Sequence, residues 1–315
     1  MFQREREEEK TPETVLKEAG FSVSEKCSSR HSCFDYAARK GENVVFIKFQ
    51  MDIDGFSFDD SQELRLLSEC ISAAYFLVSE RTREKPLEDD TVYRRYEVFA
   101  VTPKTFENIV LHKIYPLIQA GPGGYYVEID GETIKRRRQE LGLSAGEAAE
   151  MIGISRRTLY GYERGMAKAS VAAAYNLIYA LGAPVAKPIN VFDKPKNQRK
   201  CSLLRTAGNV IAKNKLLARI CSKFSRSRVT MVKRAPFDFV ITIPEEKMRI
   251  VGGVASDRER TLNRRVEEIL SVSRVIKARP ILITEKQKPT NKDIPCIYRD
   301  DLSKIRKLED IICMV

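Results

Sequence analysis

The chain has 315 residues, of which 43% are hydrophobic and 31% charged, as is typical of a globular protein with more than one domain. No stretch is long and apolar enough to predict a membrane-spanning helix, and the charged N-terminus does not predict a secretory signal. The seven cysteines include no CxxC pair, so we expect reduced thiols and a cytoplasmic location. Because no membrane-spanning helix is predicted, we expect no membrane partner.

The first third of the chain predicts alternating helices and strands. A helix from Pro12 should end near Gly20, and Lys40-Gly41-Glu42 predicts a hairpin turn between two strands. The other predicted elements are strands at 21–27, 33–39 and 43–51, a helix with Leu64, Leu67, Ile71 and Ala74 inward, a strand at 75–79, a loop at 84–90, a strand at 96–101 and a helix from Pro103.

Two breaks divide the chain. Gly121-Pro122-Gly123-Gly124 predicts one domain boundary, and residues 193–205, with Pro195 and many basic side chains, predict the second. The predicted fold is multidomain: an α/β domain at 1–120, an all-α helix-turn-helix domain of four to five helices at 125–192, and an α/β domain at 206–315.

The C-terminal third predicts the same order of elements as the first third. Residues 34–36 (Phe-Asp-Tyr) match 237–239 (Phe-Asp-Phe), residues 75–79 match 280–284, and residues 100–109 match 296–305. These matches suggest a duplication. The predicted elements are helices at 215–224, 259–276 and from Asp300, and strands at 228–232, 237–243, 248–254, 280–284 and 295–298.

Positive charge is concentrated beside the central domain. The net charge is +12, and residues from Lys187 to Arg234 include fourteen lysines and arginines but a single acid, Asp193. We call this the basic segment. It favours contact with nucleic-acid phosphates. The alternative is a linker and helix faces whose charges are simply solvated.

The central domain contains short amphipathic segments separated by tight breaks. Ser144 and Glu147 form the pattern of a capping box, and Gly153 permits the positive φ of a tight turn. The predicted helices lie at 132–141, from about 145, at 155–164, and between Ser170 and Gly182.

The helix at 155–164 has the pattern of a DNA recognition helix. Leu159 and Tyr162 should face the core, which leaves a polar face outward. The first residues of such a helix reach base edges, and arginine is the commonest guanine ligand. The predicted DNA-binding residues are Ser155, Arg156, Arg157, Thr158, Tyr160, Arg164 and Lys168, with Arg136 or Arg137 as a further phosphate contact.

Several residues of the central domain match a known pattern: Leu141-Gly142-Leu143-Ser144, Glu147, Ala149, Gly153, Ser155, Leu159, Glu163 and Gly165. On these positions the domain resembles the Cro/repressor-type (XRE) helix-turn-helix family. The resemblance implies a structural salt bridge between Arg138 and Glu163. Ala145 departs from the family, which commonly has a phosphate-binding glutamine there.

The α/β parts resemble the restriction-endonuclease-like fold, whose nucleases hold a divalent metal with an Asp and an (Asp/Glu)-x-Lys pair. Asp35 and Lys48 match two of these positions, but Phe46 replaces the middle acid. In the last third Asp238 remains, whereas residues 250–252 (Ile-Val-Gly) supply neither acid nor lysine. We therefore expect two nuclease-like domains without catalytic activity. The alternative is residual cleavage by Asp35 and Lys48 with Asp52 or Asp54.

Cys27, His31 and Cys33 form the only metal-like pattern in the sequence. No fourth ligand completes a zinc site, so we expect ordinary thiols and a surface histidine. No cofactor and no metal are predicted.

The whole chain resembles archaeal proteins predicted to be transcriptional regulators. We expect a cytoplasmic regulator that is not an enzyme, binds double-stranded DNA as a homodimer, and has an effector or the transcription machinery as a further partner. Two alternatives stay open: a nuclease targeted by the helix-turn-helix, and an interaction scaffold in which the helix-turn-helix only mediates contacts.

Overall fold

The computed structural model describes residues 10–83, 85–193, 228–243, 248–256, 259–285, 287–298 and 301. The predicted helices at 215–224 and from Asp300, and most of the basic segment, lie outside the described residues. Within these residues, no helix is long and apolar enough to cross a membrane. The chain forms two compact units, the first with Met1–Phe49, Phe56–Phe76 and Phe192–Val315, and the second with Gln50–Gly55 and Leu77–Val191.

The N-terminal part of the first unit alternates helices and strands. Its elements are α1 (Pro12–Glu18), β1 (Ser22–Val23), β2 (Tyr36–Lys40), β3 (Asn43–Phe49), α2 (Phe58–Ile71) and β4 (Ala74–Val78). The four strands lie in the order β1-β2-β3-β4. The predicted hairpin turn between β2 and β3 is confirmed, with Lys40 paired to Asn43.

Strands β1 and β2 are shorter than the predicted strands at 21–27 and 33–39. Between them the backbone leaves the regular strand pairing, because its N–H groups form hydrogen bonds with other partners. The Ser24 hydroxyl accepts the N–H of Ala37 at 2.9 Å, and the N–H of Cys27 donates to the Asp35 carbonyl at 2.9 Å. These contacts bend the chain instead of extending it.

Helix α2 begins earlier than its apolar spacing predicts. Ser57 and Asp60 form a capping box, in which the Ser57 hydroxyl accepts the N–H of Asp60 and the Asp60 carboxylate accepts the N–H of Ser57. At the other end Ser72 adopts the left-handed conformation, with φ of 59°. Ala74 therefore belongs to β4 and not to the helix.

The second unit opens with short strands and a hairpin. It contains a 3-10 turn (Ile53–Gly55), β5 (Arg81–Thr82), β6 (Lys85–Pro86), β7 (Thr91–Arg95), β8 (Val98–Val101), α3 (Pro103–Glu107) with a π-helical continuation (Asn108–His112), β9 (Ile118–Gly121) and β10 (Gly124–Val127). The sequence did not predict β7, which pairs antiparallel with β8.

The glycine-rich break at 121–124 is the turn of a β-hairpin. Gly121 pairs with Gly124, and Gly123 has φ of 84°, which a glycine adopts without strain. The predicted boundary at this position therefore falls inside the second unit. The signal that suggested a linker is equally typical of a tight turn.

Four helices form the remainder of the second unit: α4 (Gly131–Glu140), α5 (Ala145–Ile152), α6 (Arg156–Glu163) and, after the short strand β11 (Ala169–Ser170), α7 (Val171–Leu181). All four lie close to the predicted helices. Each begins at a side-chain cap, provided by Asp130, Ser144, Ser155 and Ser170. Their core includes Ile134, Ala149, Ile152, Leu159, Tyr162, Leu177 and Leu181.

The C-terminal part of the first unit is also α/β. It contains β12 (Arg228–Met231), β13 (Phe239–Ile243), β14 (Met248–Ala255), α8 (Leu262–Ile276), β15 (Arg279–Thr284) and β16 (Cys296–Tyr298). The strands lie in the order β12-β13-β14-β15-β16. The first two pairs are antiparallel and the last two parallel. The predicted helix at 259–276 begins three residues late, at Leu262.

Helices α4 and α6 approach closely at Gly131. A Cβ placed on this glycine would overlap the carbonyl oxygens of Tyr162 and Glu163 at the end of α6. Backbone carbonyls cannot move aside as a flexible side chain can, so only glycine fits here.

We expect Gly131→Ala to destabilise the helical bundle by about 1–3 kcal/mol, because the added methyl forces the two helices apart. Gly161→Ala is the matched control. Its Cβ would lie 3.7 Å from the Cβ of Ala167, so it should stabilise α6 slightly through better helix propensity. Hydrogen exchange of peptides from α4 and α6 measures both effects, and equal protection in the two variants would contradict the prediction.

Candidate nucleic-acid interface

The turn between α5 and α6 is fixed by backbone geometry. Gly153 ends α5 in the left-handed conformation, with φ of 79°. Ser155 then begins α6, and its hydroxyl accepts the N–H of Thr158 at 3.0 Å. Asn176 of α7 donates to the carbonyl of Ile152 at 3.1 Å, a contact that sequence spacing did not reveal.

Helix α6 has one buried and one exposed face, as its apolar spacing predicts. Leu159, Tyr162 and Glu163 are buried. The exposed side chains are Arg156, Arg157, Tyr160 and Arg164. The helix therefore brings four of the predicted DNA-binding residues together on one outward surface, which we call the arginine face.

An ion pair between the part-buried Arg138 and the buried Glu163 holds the C-terminal end of α6. Arg138 Nε donates to Glu163 Oε1 at 2.7 Å, and its Nη1 donates to the Leu143 carbonyl at 2.9 Å. The hydrogen bond to Glu163 raises the pKa of the Arg138 guanidinium. The salt bridge implied by the family resemblance is thus present, and it fixes α6 against α4.

Arg156 leans across the start of α5. A Cβ placed on Gly146 would overlap its guanidinium, so this group lies directly on the glycine. The Arg156 side chain, at the start of α6, therefore lies next to the N-terminus of α5. Gly146 within a predicted helix is the one sequence signal that could have indicated this contact.

The predicted phosphate-binding residues differ in how far their polar groups already bind other protein groups. The hydroxyls of Ser155 and Thr158 lie 2.8 Å apart within the cap, and Lys168 donates to Gln119 Oε1 of β9 at 2.5 Å. Arg137 donates to the Leu181 carbonyl at 2.9 Å and so caps α7. Arg136 is exposed and 3.9 Å from a carboxylate oxygen of Glu140.

In the N-terminal part, the aspartate at the nuclease-type position is bound by other groups of the protein. Asp35 Oδ1 accepts from Lys48 Nζ at 2.9 Å, and Asp35 Oδ2 accepts the N–H of Phe49 at 2.8 Å. Phe46, at the missing acid position, is fully buried with its ring 4.7 Å from that of Phe34. Mg²⁺ requires several oxygen ligands, and this set of residues does not fit it.

Asp238 occupies the corresponding position in the C-terminal part. Its Oδ1 accepts from Arg30 Nη1 at 2.8 Å, and its Oδ2 accepts from Arg265 and from the N–H of Val254. Arg265 also binds Glu259 at 2.9 Å. Two guanidinium groups therefore surround this carboxylate. Nothing in the sequence near Arg30 indicated the contact.

The other candidate ligands are dispersed. Burial raises the pKa of the Cys27 and Cys33 thiols, which disfavours the thiolate that binds metals. His31 Nε2 lies 2.7 Å from Asp60 Oδ1. Asp52 and Asp54 belong to the second unit and bond to its own groups. Across the described part of the chain, no group of three or more His, Cys, Asp or Glu could hold a metal ion.

Two family models match the chain. Residues 9–116 match a PD-(D/E)XK superfamily domain, and residues 134–187 match a helix-turn-helix. The first is the superfamily of the restriction-endonuclease-like fold, and the second covers α4 from its fourth residue and all of α5–α7.

Similar proteins come from archaea. The chain is 30% identical over 303 residues to a "Putative HTH-type transcriptional regulatory protein" of Pyrococcus furiosus, covering 95% of this chain and 94% of the relative. A relative of the same name in Methanococcoides burtonii is 30% identical, covering 96% and 93%. One from Methanocella arvoryzae is 41% identical over 56% of this chain and 54% of the relative. The chain therefore belongs to this family of archaeal HTH-type transcriptional regulatory proteins.

Proposed function

We propose that the protein is a sequence-specific regulator of transcription that binds double-stranded DNA through α6. The arginine face is the observation that carries this proposal. Its side chains project from a helix whose start is capped by Ser155 and whose end is held by the Arg138–Glu163 pair. A rigid helix with exposed arginines at its N-terminal end suits binding of guanine in the major groove.

We assign base contacts to Arg156, Arg157 and Tyr160, and phosphate contacts to Ser155, Thr158, Arg164 and Lys168. Because the Ser155 and Thr158 hydroxyls and the Lys168 amine already have protein partners, their phosphate contacts would use remaining lone pairs and protons. The basic segment would add contacts that do not depend on base sequence.

The wider organisation is also a proposal. We place the helix-turn-helix domain at 125–192 between nuclease-like domains at 1–120 and 206–315, and we propose that the protein acts in the cytoplasm. The nuclease-like domains would be the sites where an effector or the transcription machinery binds.

We propose that the protein binds DNA as a homodimer through α7. This helix carries no charged residue, although the protein has a net charge of +12, so a second copy can approach it without like-charge repulsion. Val171, Tyr175 and Tyr179 are exposed at helical spacing, Tyr179 by 83%. We expect two chains per DNA site in sedimentation experiments. Tyr179→Glu should reduce this to one, and a single wild-type chain per site would contradict the homodimer.

The second candidate function is metal-dependent DNA cleavage, favoured by the PD-(D/E)XK match. Both oxygens of Asp35 accept hydrogen bonds from the protein, and Phe46 cannot bind a metal. We therefore propose that the protein is not a nuclease and that this domain has the nuclease fold without catalytic activity.

We expect Arg156→Ala and Arg157→Ala each to weaken binding to a selected DNA site by about 1–3 kcal/mol, because a bidentate guanine contact is lost. Binding to a scrambled site should change much less. Genome-wide selection identifies the site, and gel-shift titration gives both affinities.

Two controls separate base contacts from charge. Lys104→Ala removes an exposed cation from α3 and should change neither affinity. Replacing Lys194, Lys196, Arg199 and Lys200 together should weaken binding to all sequences and flatten the salt dependence. If Arg157→Ala weakened binding to the selected site and to the scrambled site equally, α6 would not be the helix that recognises bases.

We expect no nicking of supercoiled plasmid with Mg²⁺ or Mn²⁺, because Asp35 is paired with Lys48 and Phe46 stands at the position of the second acid. Agarose gels of plasmid incubated with the protein measure this. Metal-dependent nicking that disappears in Asp35→Asn but persists in the exposed-site control Asp90→Asn would establish a nuclease instead.

A further inference from the structure

The C-terminal part of the first unit repeats the arrangement of the N-terminal part. Strands β12-β13-β14-β15 lie in the same order as β1-β2-β3-β4, and in both the first two pairs are antiparallel. In both, the long helix follows the third strand in sequence and precedes the fourth.

The correspondence extends to single backbone groups. Residues 27, 28, 47, 49, 63 and 72 correspond to residues 232, 233, 252, 254, 268 and 277 with one offset, whereas Asp35 corresponds to Asp238 because the loop before the second aspartate is two residues shorter. The helices α2 and α8 both end in a left-handed residue, Ser72 with φ of 59° and Lys277 with φ of 55°. An offset that is the same before this loop, in the following strand and in the helix is not expected from two unrelated α/β folds.

The two nuclease-type aspartates are bonded in the same way. The N–H of Asp35 donates to the carbonyl of Ile47 and that of Asp238 to Gly252, each at 2.8 Å. Asp35 Oδ2 accepts the N–H of Phe49, and Asp238 Oδ2 accepts the N–H of Val254. The two carboxylates therefore occupy equivalent positions.

Two glutamates cross between the parts at corresponding positions. Glu268 of α8 accepts the backbone N–H of Ser28 at 2.9 Å, and Glu63 of α2 accepts the backbone N–H of Lys233 at 3.1 Å. Both glutamates are buried. Burial raises the pKa of Glu63, while the N–H of Lys233 opposes that shift. Each part thus contributes one buried glutamate to the other part and binds the other part's glutamate with a backbone N–H.

Further contacts join the same two faces. Arg30 binds Asp238 and the carbonyls of Ala235 and Phe237. Arg234 donates to Asp60 Oδ1 at 2.9 Å, and its carbonyl accepts the N–H of Cys33 at 2.8 Å. The loops before the two aspartates therefore face each other.

We propose that the first unit is an internal dimer, in which two copies of one nuclease-like fold bind each other face to face about an approximate twofold axis. Reciprocal contact, where position i binds j and position j binds i, is the mark of a twofold interface between copies. The surface of the N-terminal copy around residues 28–33 therefore binds the C-terminal part of the same chain.

One consequence concerns the surface available to other molecules. The face around residues 28–33 already binds its counterpart, so a second molecule of the protein cannot use it. A homodimer must form elsewhere. The internal dimer also places Arg30 of one copy on the nuclease-type aspartate of the other, so that Asp238 is neutralised from across the interface.

Hydrogen exchange of the full-length protein tests the proposal, because a substitution in one copy should change the exchange of backbone N–H groups in the other copy. Glu268→Gln should raise exchange about tenfold in the peptide around Ser28 and Ser29, because a charge-assisted bond is lost. Glu63→Gln should do the same around Lys233. Each substitution thus acts on the other copy. Glu42→Gln is the control, since Glu42 also pairs with the other copy, at Lys277, but is exposed, and it should change neither peptide.

Deprotection confined to the copy that carries the substitution would overturn the proposal, as would no deprotection at all. If a glutamate variant does not fold, Arg30→Gln provides a second route. It should raise exchange about tenfold in the peptide around Phe237 and Asp238, whereas an unchanged peptide would overturn the internal dimer.

Discussion

The ion pair between the part-buried Arg138 and the buried Glu163 determines how α6 is held against α4. It joins the last turn of α4 to the end of α6, whose Tyr162 and Glu163 carbonyls lie against Gly131 at the start of α4. Removing Arg138 leaves the buried carboxylate of Glu163 without its charged partner, which destabilises the packing of α6 on α4. The direction of α6, and with it the position of the arginine face, depends on this contact more than on any residue that would touch DNA.

The helical bundle could be predicted from sequence because its determinants are local. Capping residues such as Ser144 and Ser155 lie within three residues of the groups they bind, and Gly153 fixes its own turn. The Arg138–Glu163 pair came only through family resemblance, since no periodicity reveals a partner on another helix. The contact of Arg156 with Gly146 also joins two helices, and the sequence did not reveal it.

The α/β parts were predicted less well, for a physical reason. Their strands end where side chains from distant positions satisfy the backbone, as Ser24 does for Ala37 and Glu268 for Ser28. Glu268 and Ser28 are 240 residues apart, and Ser24 and Ala37 are 13 apart, so neither pair follows the short spacing of helix caps and turns. The turn at Gly121 was ambiguous for a different reason, because glycine and proline mark linkers and hairpin turns alike.

Phe46 has a consequence for how this domain can change over time. Its ring is fully buried against Phe34, in the place where a nuclease carries an acid. An acid introduced there would enter an aromatic cluster, next to an aspartate already bound to Lys48. A nuclease-type metal site with an acid at this position would therefore require several substitutions together.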